Sequence, residues 1–215
     1  MKFIAKKNTP FLLVYLAFLI IGAVILANYS KGALHISFNH YHSPFFDIVF
    51  SYLTYLGEGI MVVLAVIILL TVSYRSALIV SISNIIASLL TQLLKRAVFD
   101  DYVRPKKFFE GVYDLYFVPG VDNHLYYSFP SGHTTCAFSL YFALALLVNN
   151  KLYKFLLFII ALLVGYSRVY LSQHFFMDIY AGSIIGVGIT YVVFYVINGI
   201  ESNKLDNSLT SFFQT

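Results

Sequence analysis

Charge is scarce in this sequence of 215 residues. Asp, Glu, Lys and Arg make up 11% of it, against about 25% in an average soluble domain. Hydrophobic residues make up 60% and the mean hydropathy is +0.80, which excludes an ordinary cytosolic globule. The same figures exclude disorder, which needs low hydrophobicity and high charge. Cysteine is nearly absent. Cys136 stands alone, so no internal disulfide can form, and cysteine says nothing about compartment. Tryptophan is missing altogether, while 18 Tyr and 21 Phe are present; tyrosine can take the interfacial anchoring role that Trp often plays. A basic patch is also lacking. The net charge of +4 comes from Lys and Arg set between long apolar runs, which argues against nucleic acid as a partner.

What is present is a series of apolar runs. At about 20 apolar residues per crossing, the length suits one domain, 1–215, with five or six membrane helices. The first run covers residues 11–27 and reads as a retained helix, because it is long for a signal peptide and Asn28-Tyr29-Ser30-Lys31 is a poor cleavage site. Residues 29–43 are largely polar and read as a loop, with His35, His40 and His42 as loop residues. Ser43-Pro44 reads as a helix start, with Ser43 as N-cap. From Pro44 to Leu56, Asp47, Ser51 and Thr54 form one polar stripe at i, i+4 and i+7, which predicts an interfacial helix leading into the next crossing. Further crossings are expected at 57–73, 76–98, 132–148, 152–171 and 177–197, and a polar tail at 198–215. The expectation is an all-α, polytopic six-transmembrane bundle with an interfacial helix and an outward-facing loop at 99–131.

Six crossings put both termini on one side. Lys and Arg then divide seven against seven, so the raw positive-inside count decides nothing. Most of the second set lies in or near the long loop. If those charges bind a ligand, Lys2, Lys6 and Lys7 favour cytoplasmic termini, with the long loop on the outer or periplasmic side of the cell (inner) membrane.

Ionisable residues at membrane depth are functional candidates by default. Here they gather in three places. Lys95 and Arg104-Pro105 supply two cations and a rigid proline. Pro130-Ser131-Gly132-His133 opens a helix, whose unpaired N–H groups and dipole favour an anion; Gly132 permits close approach and Ser131 is a natural N-cap. Ser167-Arg168 precedes His174 and Asp178, which lie four apart and share a helix face. A carboxylate bonded to one imidazole nitrogen leaves the other free to attack, and a forked guanidinium can grip phosphate oxygens. Taken singly, each place also reads as a capped helix end with snorkelling charge. Taken together, on one side of the membrane, they supply what in-line phosphoryl transfer through a histidine requires.

These residues resemble the membrane branch of the type-2 phosphatidate phosphatase and vanadium haloperoxidase superfamily. Its signature has three parts: Lys, six residues, Arg-Pro; then Pro-Ser-Gly-His; then Ser-Arg, five residues, His, three residues, Asp. The second and third parts stand in full at Pro130–His133 and at Ser167-Arg168, His174 and Asp178. The first departs: eight residues separate Lys95 from Arg104, and seven separate Arg96 from it, as an insertion after the third crossing would produce. Lys95 is the preferred cation. The resemblance covers roughly residues 45–197.

The resemblance implies a lipid phosphatase that forms a phosphohistidine. His174 would be the nucleophile, Asp178 its orienter and His133 the general acid. Lys95, Arg104 and Arg168, with Ser131 and the Gly132 N–H, would hold the phosphate. No metal and no cofactor are implied, since fixed cations can do a metal's charge stabilisation. The expected partners are the bilayer and a lipid phosphate or pyrophosphate. Relatives act on phosphatidate, phosphatidylglycerol phosphate, undecaprenyl pyrophosphate and lipid A. Nothing in the sequence calls for an obligate protein partner. Two alternatives are a vanadate-dependent haloperoxidase, whose relatives are typically soluble, and a transporter, which should carry charges near mid-helix and often repeat symmetry. No internal repeat is visible, and most of these charges sit at one end.

Overall fold

The structure is a computed structural model and describes residues 9–210. Among the described residues it is helical without strands. The helices are α1 (Thr9–Asn28), α2 (Lys31–Asn39), α3 (Pro44–Leu53), α4 (Gly59–Leu70), α5 (Tyr74–Ala97), α6 (Pro105–Phe108), α7 (Gly132–Leu147), α8 (Lys151–Tyr170), α9 (Phe176–Asn198) and α10 (Asn203–Asp206). A 3-10 turn, Thr54–Gly57, joins α3 to α4. Lys2, Lys6, Lys7 and the last residues of the polar tail lie outside the described residues.

Four helices, α1, α5, α8 and α9, are long and apolar enough to cross a membrane. The second expected crossing is different. α4 has only 12 residues, and it continues the segment 44–57 across a bend of 54° at Glu58. Counting that bent pair as one span gives five. α7 has 16 residues, about 24 Å at 1.5 Å per residue, short of a hydrocarbon core of about 30 Å. The helices expected from the sequence are therefore present, but helix length supports four or five spans rather than six.

α7 is the central helix. Residues 134–143 are all buried, and the polar ones among them are hydrogen-bonded: the Thr134 hydroxyl to Ser131 Oγ, the Thr135 hydroxyl to the Ser131 carbonyl, and Ser139 Oγ with Thr190 Oγ1. α9 lies against it backbone to backbone. A Cβ on Gly182 would stand 2.7 Å from the Ser131 carbonyl oxygen, and one on Gly186 would stand 2.6 Å from that of Thr135. Small residues four apart let helices approach closely where lipid supplies no hydrophobic drive between them. Rings fill the space beside this seam: Phe11 of α1 packs on Phe142 of α7 at 4.9 Å and on Phe158 of α8 at 5.4 Å.

Local chemistry sets the helix starts. The side chains of Ser30, Ser43, Ser73, Ser131 and Asn150 each accept a backbone N–H from the first turn of the helix that follows. Ser43 and Ser131 are the caps expected from sequence, and Pro44 sits in the first turn of α3 as expected.

Two expectations need correction. Residues 31–39 are a helix rather than a loop, and His35 within it is buried, 1% exposed. Its ring stacks on Phe109 at 5.8 Å and meets Phe175 edge-on at 5.3 Å. His42 is also held, with Nδ1 2.8 Å from the Asn39 carbonyl and Nε2 2.9 Å from that of Tyr170. The tail is docked as far as it is described: Tyr74 N–H donates to the Asn207 carbonyl at 2.9 Å, and Arg75 pairs with Asp206 at 2.6 Å. That contact lies at the start of α5, about 30 Å along the helix from Lys95.

Candidate active site

Six chain segments meet at the far end of α5. Lys95, in its last turn, is 6% exposed and donates to the Tyr127 carbonyl at 2.9 Å; Arg96 is exposed. The chain then turns through 98–103 and enters α6 at Arg104. Arg104 N–H donates to the Leu125 carbonyl at 2.9 Å, and its Nε donates to the Tyr126 carbonyl at 3.0 Å. Lys95 and Arg104 are thus tied to neighbouring carbonyls of one strand of loop, residues 125–127. The two residues that lengthen the first motif are accommodated in the turn outside it.

That loop runs into α7. Ser131 Oγ accepts from the Thr134 N–H at 3.4 Å and from its hydroxyl at 2.9 Å, and the residue is fully buried. No atom would crowd a Cβ on Gly132. The His133 side chain is 34% exposed, with Nε2 3.8 Å from Glu58 Oε1.

The corner between α8 and α9 carries the rest. The N–H groups of Gln173 and His174 both donate to the Arg168 carbonyl, at 2.9 and 3.0 Å. This reversal requires Ser172 to take φ +52°, an uncommon conformation for a residue with a Cβ. α2 braces it from outside: His35 Nε2 lies 3.1 Å from Ser172 Oγ, and Asn39 donates to the same oxygen at 3.2 Å. His174 Nδ1 then stands 3.2 Å from Asp178 Oδ2, with both side chains buried. Asp178 Oδ2 also accepts from the Ser128 hydroxyl, and from the Phe175 N–H at 2.9 Å. The Asp178 carbonyl accepts the Ser131 N–H at 3.0 Å, which joins the start of α7 to the start of α9.

Burial pushes the His174 ring well below the ordinary histidine range, and the charges of Arg104, Lys95, Arg168 and His133 push it further. His174 is therefore neutral at physiological pH. With Nδ1 on a carboxylate, Nε2 keeps its lone pair.

The structure brings together all eight residues expected at the site, and it adds others. Gln173 Oε1 accepts from Arg104 Nη1 at 3.1 Å and from Arg168 Nη2 at 3.3 Å, holding two guanidinium groups side by side. Thr54 Oγ1 accepts from Arg168 Nη1 at 2.6 Å. Arg168 Nε is buried without a partner. Thr54 belongs to the stripe that includes Asp47. That stripe faces inward, not toward water, because Asp47 accepts from Tyr170 at 2.6 Å and from Tyr116 at 2.7 Å. The i, i+4, i+7 spacing carried the signal for that face; nothing in the sequence marks Gln173 or Ser128. His124 is exposed and makes no contact with these groups. Among the described residues, no three of His, Cys, Asp and Glu are grouped so as to hold a metal ion.

The chain is similar to known proteins. The sequence matches the PAP2 superfamily over residues 76–201. A lipid A 4'-phosphatase of Porphyromonas gingivalis is 37% identical over 70 residues, 33% of this chain and 30% of that protein, so the match spans under a third of the relative's length. The crystal structure of Aquifex aeolicus LpxE superposes with a TM-score of 0.67 at 26% identity, covering 75% of this chain and 93% of that one. The first transmembrane PAP2-type phosphatidylglycerolphosphate phosphatase structure from Bacillus subtilis gives 0.64 at 25% identity, covering 92% and 98%. The matched stretch contains all three motifs in order and more than half of the chain, and the protein belongs to the PAP2 superfamily.

Proposed function

We propose that this protein is an integral membrane lipid phosphatase that cleaves a phosphate monoester or pyrophosphate of a membrane lipid through a phosphohistidine. One observation carries the reading: a neutral, buried imidazole, bonded to a carboxylate on one nitrogen, sits within the field of Lys95, Arg104 and Arg168. The named activities of the relatives, lipid A 4'-phosphatase and phosphatidylglycerolphosphate phosphatase, support it.

In the proposed reaction the Lys and Arg side chains, the Gly132 N–H and the Ser131 hydroxyl hold the nonbridging oxygens. His174 Nε2 attacks phosphorus and the bond to the leaving oxygen breaks. His133 gives that oxygen its proton; burial and the charges of Arg168, Arg104 and Lys95 hold its ring down to about 3 in the free protein, so the bound phosphate has to offset those charges and raise it for this step. Asp178 stabilises the charge gained by the His174 ring. Water then attacks the P–N bond with His133 as base, releasing phosphate and restoring both histidines. The fixed cations supply the charge stabilisation, so no metal is required. The unit is a single membrane-embedded domain with its core at 45–197; with α7 crossing as the sixth span beside the four long helices and the bent pair, both termini are cytoplasmic and the site lies toward the outer face of the inner membrane.

The test is phosphate release by detergent-solubilised protein from phosphatidate, phosphatidylglycerol phosphate, polyprenyl pyrophosphate and lipid A, with His174→Ala alongside. Release from at least one lipid that His174→Ala abolishes is the expected result. Absence of release from all four, or equal release by the variant, would end the proposal.

A further inference from the structure

His133 has to carry a proton among cations. Arg168 of α8, Arg104 at the start of α6 and Lys95 of α5 all bear on its ring, and each opposes a further positive charge there. His174 also faces it, and Asp178 behind His174 is already committed to that ring. A phosphate monoester bound as a dianion offsets two of the three fixed charges and leaves one. A further negative charge is needed before the imidazole can hold a proton at neutral pH.

Glu58 is placed to supply it. Its Oε1 stands 3.8 Å from His133 Nε2, and among the described residues it is the one carboxylate in ion-pair range of that ring. At that separation no direct hydrogen bond forms, yet opposite charges still attract appreciably at a partly buried site. The carboxylate thus favours the proton without capturing it, and Nε2–H stays free to turn to a leaving oxygen. Asp178 does the reverse for His174: buried and at 3.2 Å, it ties one nitrogen down.

The backbone fixes the spacing. Glu58 occupies the capping position of α4, but its side chain makes no capping bond. Tyr141 of α7 donates to the Leu56 carbonyl at 3.0 Å. A Cβ on Gly57 would stand 3.0 Å from the His133 carbonyl oxygen and 2.5 Å from a Val164 methyl group, so only a glycine lets the bend pack directly on the first turn of α7. Glu58 lines a cavity of about 360 Å³ together with Gly132 and His133, and also a larger one of about 880 Å³ that reaches Arg168. Cys136, the other titratable side chain near that end of α7, lines the smaller cavity as well.

We infer that Glu58 is a positioning residue for the acid step, holding the charge that keeps a proton on His133 until the leaving oxygen takes it. The inference rests on the phosphatase reading and adds a residue outside its three motifs. Glu58 stays ionised throughout: the proton passes from His133 to the leaving oxygen, and His133 regains one from the attacking water. A carboxylate here also repels the substrate phosphate, so its removal should tighten ground-state binding while it slows the chemical step.

The experiment uses the full chain in detergent, with Glu58→Gln, Glu58→Asp, His133→Gln and the Glu58→Gln/His133→Gln pair, from about pH 5 to 9. Substrates are the lipid phosphate monoester that the native chain turns over best and p-nitrophenyl phosphate, whose leaving group departs without a proton. Glu58→Gln should lower kcat on the lipid ~10-fold at the alkaline end, with KM unchanged or lower, and move the alkaline limb of the kcat profile ~1 pH unit toward acid. Glu58→Asp should stay within ~3-fold of native, and kcat of Glu58→Gln on p-nitrophenyl phosphate within ~2-fold. In the His133→Gln background, Glu58→Gln should add little. Equal losses on both substrates, an unmoved alkaline limb, native kcat in Glu58→Gln, or a full further loss on top of His133→Gln each overturns the inference and leaves the phosphatase standing. Silence of the native chain on every lipid sinks the phosphatase reading and this one with it.

Discussion

Arg168 donates to Thr54 at 2.6 Å, a bond between residues 114 apart in the chain. The 3-10 turn that bends α3 into α4 thereby aims a guanidinium of α8. Thr54→Val removes this charge-assisted bond with little change of shape. Arg168 would lose its aim and kcat/KM for lipid phosphate should fall ~10-fold, while Thr54→Ser restores it. A Thr54→Val enzyme with native kcat/KM would refute the positioning role.

The nucleophile assignment predicts a covalent intermediate. His174→Ala should lower turnover by ~1000-fold or more, and Asp178→Asn by ~100-fold or more. Rapid quench with labelled substrate should trap acid-labile phosphate on the native chain and none on His174→Ala. Label retained by His174→Ala would move the nucleophile elsewhere.

Fixed cations in place of a metal predict turnover that persists in excess EDTA. Phosphate release should stay within about twofold of the untreated rate. A strict requirement for added divalent cation would remove this part of the mechanism.

Two histidines of opposite duty predict a bell-shaped rate profile, whose limbs belong to the site as a whole. Stability gives a sharper pH test. Burial, with the His42 charge second, lowers His35 to about 4. Below its unfolded value of ~6.5 the unfolded chain therefore binds more protons than the folded one. The stability from a neutral His35 is complete above pH ~6.5 and declines as pH falls toward 4. Up to about 3 kcal/mol is at stake, at ~1.4 kcal/mol per pKa unit. The midpoint of thermal unfolding in detergent should drop across that window, and less steeply in His35→Gln. Parallel pH profiles for the two proteins would contradict this.

The seam between α7 and α9 predicts a steric effect. Gly186→Val would press a side chain on the Thr135 carbonyl at 2.6 Å and the Ser139 nitrogen at 2.9 Å. Overpacking of this kind costs about 1–3 kcal/mol, so the unfolding midpoint and activity should fall together. Gly188, with no atom within 4 Å of a Cβ, should accept Ala with little change.

Much of the site was legible because its chemistry is local. Pro130–His133 announces a capped helix start, and His174 with Asp178 states a helical spacing, so neither needs the rest of the fold to be read. The partners that come from distant segments were not legible. Gln173 has no pattern of its own, and it matters because the left-handed turn at Ser172 aims it between two arginines. The Asp47 stripe gave the correct face but not its direction, since periodicity says which residues align and not what they oppose. α2 escaped because its polar residues looked like solvent-loving ones; Asn39 and His35 instead spend their polarity on the Ser172 corner. Four or five of the expected crossings are long and apolar enough to span; the other is α7, whose 16 residues looked like a full crossing because hydropathy registers an apolar run without fixing where the helix starts and stops.

The closeness of α7 and α9 has one more consequence. His133 rides on one of these helices and His174 just precedes the other, and with main chain pressed on main chain no side chain between them can yield. The gap between the two imidazoles is thus set by rigid scaffolding, not by side chains that could repack.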